Sequence, residues 1–404
     1  MKENTYPLFK KGCVAAFLLW GVSIAFWQSF VLAFCLGALP IIITITWRNK
    51  EFPAFPFALL FQWMQVSLGI IWRDAFGVKL DAVNHPQADL ACYLGIIGLL
   101  VLGVGVRFGF LLAGKIFNIK PLDEPEKINY SINKVFIIYL ILLFLAPIVA
   151  VVSWNFMPLR SIMVTIFVFQ HFMVFMLFYL AILYNRAFYI VGTLLLEIMQ
   201  GMVGYFSGYK TSLLIFAIVS FTNLKRLTLR MRYILLLVLF LLFILSIVWQ
   251  AVKPELRRAF SDGTLSLSSP VEKKLKFVYR LTEKIFRGDD YAYQAQSQPS
   301  KVHVLVNRIS SIYYFACTLG RIPSQMPHED GKLLKGSLMH IFTPRLFFSE
   351  KPGLPSDSWM VTTYAGVYVA GEEQDTNIAL GYLVENYVDF GIPYMFIPVF
   401  IQGV

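Results

Sequence analysis

The sequence has 404 residues, of which 57% are hydrophobic and 15% are charged, and its formal net charge is +11. A soluble globular chain averages about 25% charged residues, so this composition excludes an ordinary soluble domain and indicates a membrane protein. No basic stripe with interleaved aromatic residues is present, so the positive charge does not indicate a nucleic-acid partner.

Apolar runs of about 20 residues can cross the bilayer as helices, because its hydrocarbon core is roughly 30 Å thick, and such runs recur from the N-terminus to residue 251. The predicted spans are residues 12–27, 29–46, 54–72, 90–114, 135–153, 161–183, 188–206, 211–223 and 233–251. A tenth span is predicted to begin near Ile378. The expected fold is an all-α polytopic membrane protein with about ten or more transmembrane helices.

Basic residues between the predicted spans indicate the orientation of the chain. With the N-terminus in the cytoplasm, that side carries fourteen Lys and Arg residues, four of them in "KRLTLRMR", and the opposite short loops carry four. The positive-inside rule favours this orientation. We predict three regions: a transmembrane bundle at 1–251, a large periplasmic loop at 252–375 and a C-terminal transmembrane segment at 376–404. The first span is expected to be an uncleaved signal anchor.

The large loop contains two segments with helix-like apolar spacing, "RISSIYYFACTLG" from Arg308 and "KLLKGSLMHIF" from Lys332. We expect these segments to be short re-entrant or interfacial helices that lie against the bilayer. Because the loop is predicted to lie outside the cytoplasm, any reaction there proceeds without ATP. It is the longest predicted loop and therefore the expected location of a functional site.

Several cations lie where the outer surface of the membrane is predicted. Arg257 and Arg258 follow the ninth span, Lys210 lies in the short turn between the seventh and eighth spans, and Arg308 borders an apolar segment of the loop. Arg345 and Lys351 stand together in "FTPRLFFSEKPGLP". Arginine offers a planar fork of donors that matches phosphate oxygens, so these residues are candidate ligands of a lipid-linked diphosphate. The alternative is that the cations only contact lipid headgroups.

Three other ionisable residues are candidates for proton transfer. Glu385 lies within the apolar segment "TNIALGYLVENYVDFG", where an ionisable group is costly and indicates a function. Asp375 lies just before this segment and His340 lies on an apolar run; each could accept a proton from a hydroxyl nucleophile. The structural alternatives are an ion pair for Glu385 and a buried packing position for His340. No metal-ligand spacing is present, so we expect no metal and no cofactor.

In the order of its loop motifs the chain resembles the bacterial oligosaccharide repeat-unit polymerases, the Wzy family, which assemble O-antigen and exopolysaccharide. The motifs are "VKPELR", "RISSIYYFACTLGRIPSQMP", "DGKLLKGSLMHIFTPRLFFSEKP" and "DTNIALGYLVENYVDFGIPY". The resemblance points to Arg257, Arg308, Arg345, Lys351 and Glu385 as functional residues. An R-x10-G pattern of the family is only approximate here, because eleven residues separate Arg308 from Gly320.

The resemblance implies a metal-independent glycosyltransferase of the bacterial inner membrane with a fold like that of the GT-C glycosyltransferases. A growing glycan on undecaprenyl diphosphate would be transferred to the non-reducing end of a new lipid-linked repeat unit. The arginines would then stabilise the diphosphate leaving group, and Glu385, Asp375 or His340 would be the base. A chain-length-regulating co-polymerase is an expected partner. Family members have further spans after "NYVDFG", so we expect the chain to be truncated.

Two other functions fit the same composition. An O-antigen ligase uses the same lipid-linked donor and differs in its acceptor, which is the lipid A core. A flippase or another transporter of lipid-linked oligosaccharides would also be basic and polytopic, but internal repeats and charged residues within several spans are more typical of transporters.

Overall fold

The computed structural model describes residues 6–47, 54–78, 80–116, 131–155, 160–203, 209–223, 227–262, 264, 272–273, 276–277, 279–281, 283, 301–343, 348, 353–369 and 378–404. The regular elements in these ranges are helices, with no strand among them, which confirms the predicted all-α class.

The first nine helices coincide with the nine apolar runs identified in the sequence. They are α1 (Tyr6–Trp27), α2 (Phe30–Thr46), α3 (Ala54–Phe76), α4 (Ala88–Ile116), α5 (Ile132–Asn155), α6 (Arg160–Leu183), α7 (Ala187–Val203), α8 (Tyr209–Thr222) and α9 (Leu229–Ser261). Within the described residues, three segments are long and apolar enough to cross a membrane: Lys10–Trp27, Phe55–Phe76 and Ala88–Ile116. The total of ten or more spans stays a prediction.

Shorter helices follow in the second half of the chain. They are α10 (Lys301–Ile309), α11 (Ile312–Arg321), α12 (Lys332–Phe342), α13 (Asp357–Met360), α14 (Tyr382–Phe390) and α15 (Phe396–Gly403). A π-helical turn, Val361–Ala365, continues directly from α13.

The predicted tenth span is not one continuous helix. The helix α14 ends at Phe390 and is followed by Gly391, whose φ of +64° lies in the left-handed region that favours glycine, and α15 begins only at Phe396. Pro393 lies between the two helices and has no N–H to donate to a preceding turn. A nine-residue helix extends about 14 Å along its axis, so α14 alone is too short to cross a bilayer.

The chain forms two compact units. The first consists of Met1–Pro121 and His303–Val404, and the second consists of Leu122–Val302. The predicted region boundaries at residues 251 and 375 refer to the membrane, and this division by packing does not test them.

In the first unit, α2 packs against α1, α3 and α4, and α15 packs against α4. The contact between α4 and α15 depends on Gly105 and Gly109, which are four residues apart on one face of α4. A Cβ at Gly105 would lie 2.4 Å from the carbonyl oxygen of Phe400, and one at Gly109 would lie 2.4 Å from that of Val404. Small residues at this spacing let two helix backbones approach closely.

The second unit contains α5 to α9 around its own apolar core. Tyr139, Leu177, Phe178, Ile190 and Phe216 are almost completely buried there. Because these large side chains come from α5, α6, α7 and α8, they hold the four helices together by burial of apolar surface and close packing.

The two segments predicted to lie against the bilayer are both helical, but their surroundings differ. The helix α11 packs against α4 and the π-helical turn, and it buries Ile312, Phe315 and Cys317. The helix α12 has no buried residue, and Leu338, Met339, Ile341 and Phe342 at its C-terminal end are 46 to 76% exposed. Of the two helices, only α12 has the exposed apolar face that an interfacial helix requires.

Candidate functional site

The candidate site is the part of the first unit in which α14, α12 and the segment between α11 and α12 meet. The helix α14 carries Glu385, and two contacts at its N-terminal end fix its position. The hydroxyl of Tyr382 donates to Oε1 of Gln62 on α3 at 2.7 Å, and Leu383 packs directly against Gly98 on α4. Glu385 therefore lies on a short helix that is attached to two long ones.

Glu385 is half-buried and lies in the first turn of α14. Burial raises the pKa of its carboxyl above the ordinary value, and the negative charges of Asp357 and Asp389 raise it further. Among the described residues, Glu385 makes no side-chain hydrogen bond or ion pair. A carboxyl group whose pKa is raised in this way is a stronger base than an exposed one and is a candidate for proton transfer.

Asp389 joins α14 to α12. The N-cap of α12 is Gly331, which has no side chain to accept the free backbone N–H groups of the first turn. Asp389 replaces this missing cap: its Oδ1 accepts from the N–H of Leu333 at 3.0 Å and its Oδ2 from that of Leu334 at 2.8 Å. The carboxylate of Asp389 is 1% exposed and sits at the positive end of the α12 dipole.

A second set of contacts surrounds Glu329, just before α12. Its backbone N–H donates to the carbonyl oxygen of Val388 at 3.0 Å, and its carboxylate accepts from Lys332 at 2.9 Å and from the Tyr364 hydroxyl at 3.2 Å. The hydrogen bond from Lys332 lowers the pKa of Glu329. Burial, together with the negative charge of Glu329, raises the pKa of Tyr364 to about 12. Tyr364 thus remains a neutral hydrogen-bond donor at physiological pH.

The C-terminal end of α11 contributes Arg321 to the same part of the unit. The hydroxyl of Tyr387 on α14 donates to the carbonyl oxygen of the next residue, Ile322, at 2.6 Å. The Arg321 guanidinium lies against Gly366, where an added Cβ would be 2.0 Å from Nη1. Its Nε is buried and has no hydrogen-bond partner among the described residues. Arg321 is therefore a half-buried cation with donor capacity left for an anionic ligand.

The predicted site residues are only partly covered by the structure. Arg345, Lys351 and Asp375 lie outside the described residues. The backbones of Lys210, Arg257 and Arg308 belong to α8, α9 and α10, whereas their side chains are outside the described set.

Two further predicted residues are described. Arg258 is exposed on α9 and forms an ion pair with Glu255, one turn earlier, at 3.1 Å. Such an exposed pair contributes little to stability and can open for another anion. His340 lies half-buried in the last turn of α12, beside the exposed apolar face of that helix. His340 and Glu385 thus lie on the two helices that Asp389 joins.

Sequence reasoning missed Asp389, Asp357 and Glu329, and it considered Tyr364 only as an aromatic residue that could stack on a sugar ring, without its hydrogen bond to Glu329. Asp389 could have been recognised, because it follows Glu385 by four residues and so lies on the same face of a helix. The other three residues are distant from Glu385 in the sequence, and no local pattern indicates that folding brings them to this region.

Asp389 provides a direct test of this geometry. We expect Asp389→Ala to lower the free energy of unfolding by about 2 to 4 kcal/mol, because two partly buried backbone N–H groups at the start of α12 lose a charged acceptor. Thermal unfolding of the purified protein in detergent measures this loss. The matched control is Asp330→Asn, since Asp330 is exposed and its φ of +49° suits asparagine. Equal midpoints for Asp389→Ala and wild type would contradict the capping role.

Comparison with known proteins gives one match. Residues 111–404, which include the candidate helices α11 to α15, match the model of a family described as a domain of unknown function, DUF8712. No curated protein and no solved structure matches the chain.

Proposed function

This chain belongs to the DUF8712 family of domains of unknown function, and from its residues we propose that it is a polymerase of lipid-linked oligosaccharide repeat units. The order of the loop motifs, which resembles the Wzy-type polymerases, is the sequence basis of the proposal. The reaction takes place at the periplasmic face of the bacterial inner membrane. The product is O-antigen or exopolysaccharide, still linked to undecaprenyl diphosphate.

In the proposed reaction, a hydroxyl at the non-reducing end of a new repeat unit attacks the anomeric carbon of the growing glycan. A new glycosidic C–O bond forms, and the C–O bond between the anomeric carbon and the diphosphate breaks. The electron pair of that bond leaves with undecaprenyl diphosphate. The proton of the attacking hydroxyl passes to a base on the protein, for which Glu385 is the first candidate and Asp375 and His340 are the alternatives.

The position of Glu385 is the observation that carries the proposal. Its carboxyl is half-buried, and its pKa is raised by burial and by Asp357 and Asp389. A base must both lose its own proton at the working pH and bind a new one in the transition state. A carboxylate of raised basicity satisfies the second requirement better than an exposed one.

Cations near the leaving group would stabilise the negative charge that develops on the diphosphate. The candidates from the sequence are Arg345 and Lys351, with Arg308, Arg257, Arg258 and Lys210 as further ligands. Arg321, at the end of α11, is a further candidate, because its Nε has no hydrogen-bond partner among the described residues. Guanidinium groups would thereby supply the charge stabilisation that Mg²⁺ provides in many other transferases.

The exposed apolar face of α12 supports the proposal that the substrate is linked to a lipid. Leu338, Met339, Ile341 and Phe342 are exposed on the helix that Asp389 attaches to α14. In the proposed orientation this face lies in the bilayer interface. A substrate whose polyprenyl tail stays in the membrane would then present its diphosphate and sugars at the height of the site.

Deletion of the gene, followed by analysis of the surface glycan, tests the proposed function against the two alternatives. A polymerase predicts surface acceptors that carry single repeat units and no long chains. Lipid-linked polymer that accumulates without transfer to its acceptor would instead identify a ligase. Lipid-linked units trapped in the cytoplasm would identify a flippase. Either of the last two results would refute the proposal.

A further inference from the structure

The second unit contains a polar cluster that the proposed reaction does not use. At its centre is Glu197 on α7, which is 5% exposed. The hydroxyl of Tyr139 donates to its Oε1 at 2.9 Å, Nε2 of Gln170 donates to the same oxygen at 3.1 Å, and the hydroxyl of Ser212 donates to its Oε2 at 2.6 Å. Side chains from α5, α6, α7 and α8 thus converge on one carboxyl group.

Glu197 accepts three hydrogen bonds in all, two at its Oε1 and one at its Oε2. All three donors are neutral, and Glu197 has no ion-pair partner among the described residues. Because the surrounding core is apolar, an ionised carboxylate there requires a compensating positive charge.

Two further oxygens on the helices of this cluster have no hydrogen-bond partner among the described residues. Oε1 of Gln170 and Oγ1 of Thr193 are both buried, on residues that are 3% and 0% exposed. Gln170 cannot satisfy its oxygen by rotation alone, because its Nε2 already bridges Glu197 and the Oε1 of Gln200, the latter at 3.0 Å. Thr193 precedes Glu197 by four residues and therefore lies on the same face of α7.

From this surplus of oxygens around one carboxyl group, we propose that the cluster binds a monovalent alkali cation, Na⁺ or K⁺. Carboxylate, amide and hydroxyl oxygens are the ligands that hard cations take in proteins. Glu197 would neutralise the ion, and Gln170 and Thr193 would complete its coordination. One carboxylate matches one positive charge, so the bound site is neutral within the apolar bundle. This inference is independent of the proposed polymerase reaction.

The effect of salts on the stability of the purified full-length protein tests the site. We expect the unfolding midpoint in detergent to rise by a few degrees, and to saturate, as NaCl or KCl replaces choline chloride at constant ionic strength. Comparing the two salts identifies the ion. Identical midpoints in NaCl, KCl and choline chloride would overturn the proposal without any variant.

Variants locate the effect in the cluster. Glu197→Gln, which removes the charge at nearly constant volume, should abolish the difference between alkali and choline salts, and Thr193→Val should shift the response to higher salt. The matched control is Ser220→Ala, which should retain the full response. Its hydroxyl is also buried, has no hydrogen-bond partner in the described part of the chain, and lies about 12 Å along α8 from Ser212. A full response in Glu197→Gln would place the cation elsewhere and refute this site.

Discussion

Replacing Glu385 by glutamine is expected to reduce the rate of polymerisation by about 10² to 10⁴-fold while the protein still folds and inserts. Glutamine keeps the size of the side chain but cannot take the proton of the acceptor hydroxyl. The measurement is the length distribution of the glycan in a strain that carries only the variant. Long chains of normal abundance in the Glu385→Gln strain would exclude Glu385 as the base.

The pH dependence of the activity gives a second test of Glu385 as the base. A base must be deprotonated, so activity should rise with pH through the pKa of Glu385, which burial, Asp357 and Asp389 place above the ordinary value of a glutamate. Asp357→Asn removes one of the negative charges and lowers that pKa. The acidic limb of the pH–rate profile is therefore expected to move to lower pH in Asp357→Asn. An unchanged limb would mean that a different group titrates.

Arg345→Ala is the second substitution with a large expected effect. If Arg345 binds the diphosphate, its loss should reduce polymer formation by about 10² to 10³-fold, because charge on the leaving group is no longer stabilised. Arg345→Lys should recover only part of the activity, since an ammonium group cannot reproduce the planar fork of donors. The amount of polymer, compared with the amount of membrane-inserted protein, gives the result.

Lys335→Ala is the matched control for this substitution. Lys335 is an exposed cation on α12, outside the proposed diphosphate ligands, and its loss changes the net charge by the same amount. We expect normal polymer from Lys335→Ala. Normal polymer from Arg345→Ala as well would remove Arg345 from the mechanism.

The helices of the first half of the chain could be predicted closely from the sequence. For example, the predicted span 161–183 corresponds to α6, Arg160–Leu183, and the predicted span 29–46 corresponds to α2, Phe30–Thr46. Such runs are predictable because a bilayer-spanning helix satisfies its own backbone hydrogen bonds and is apolar over its whole length.

The sequence was less informative where tertiary contacts decide the structure. The run from Ile378 to the C-terminus is apolar enough to suggest one span, but Gly391 and Pro393 divide it into two short helices. The amphipathic spacing of α11 suggested a helix on the bilayer, yet its apolar face is buried against α4. An apolar helix face has the same pattern whether lipid or protein covers it.

The candidate site, too, could be predicted from the sequence only in part. Glu385 stood out because an ionisable residue within an apolar segment is costly, and the structure places it beside Asp357 and Asp389. Asp389 caps α12 through contacts with residues that are more than 50 positions away in the chain. Pairings over such distances arise only when the helices pack, so no local pattern indicates them.

The most direct test of the proposed polymerase is a reaction with the purified full-length protein in lipid vesicles, supplied only with an undecaprenyl-diphosphate-linked repeat unit. We expect a ladder of longer lipid-linked glycans, one molecule of undecaprenyl diphosphate released for each bond formed, and no ladder from Glu385→Gln. Repeat units that stay single in the presence of folded wild-type protein would refute the proposed polymerisation.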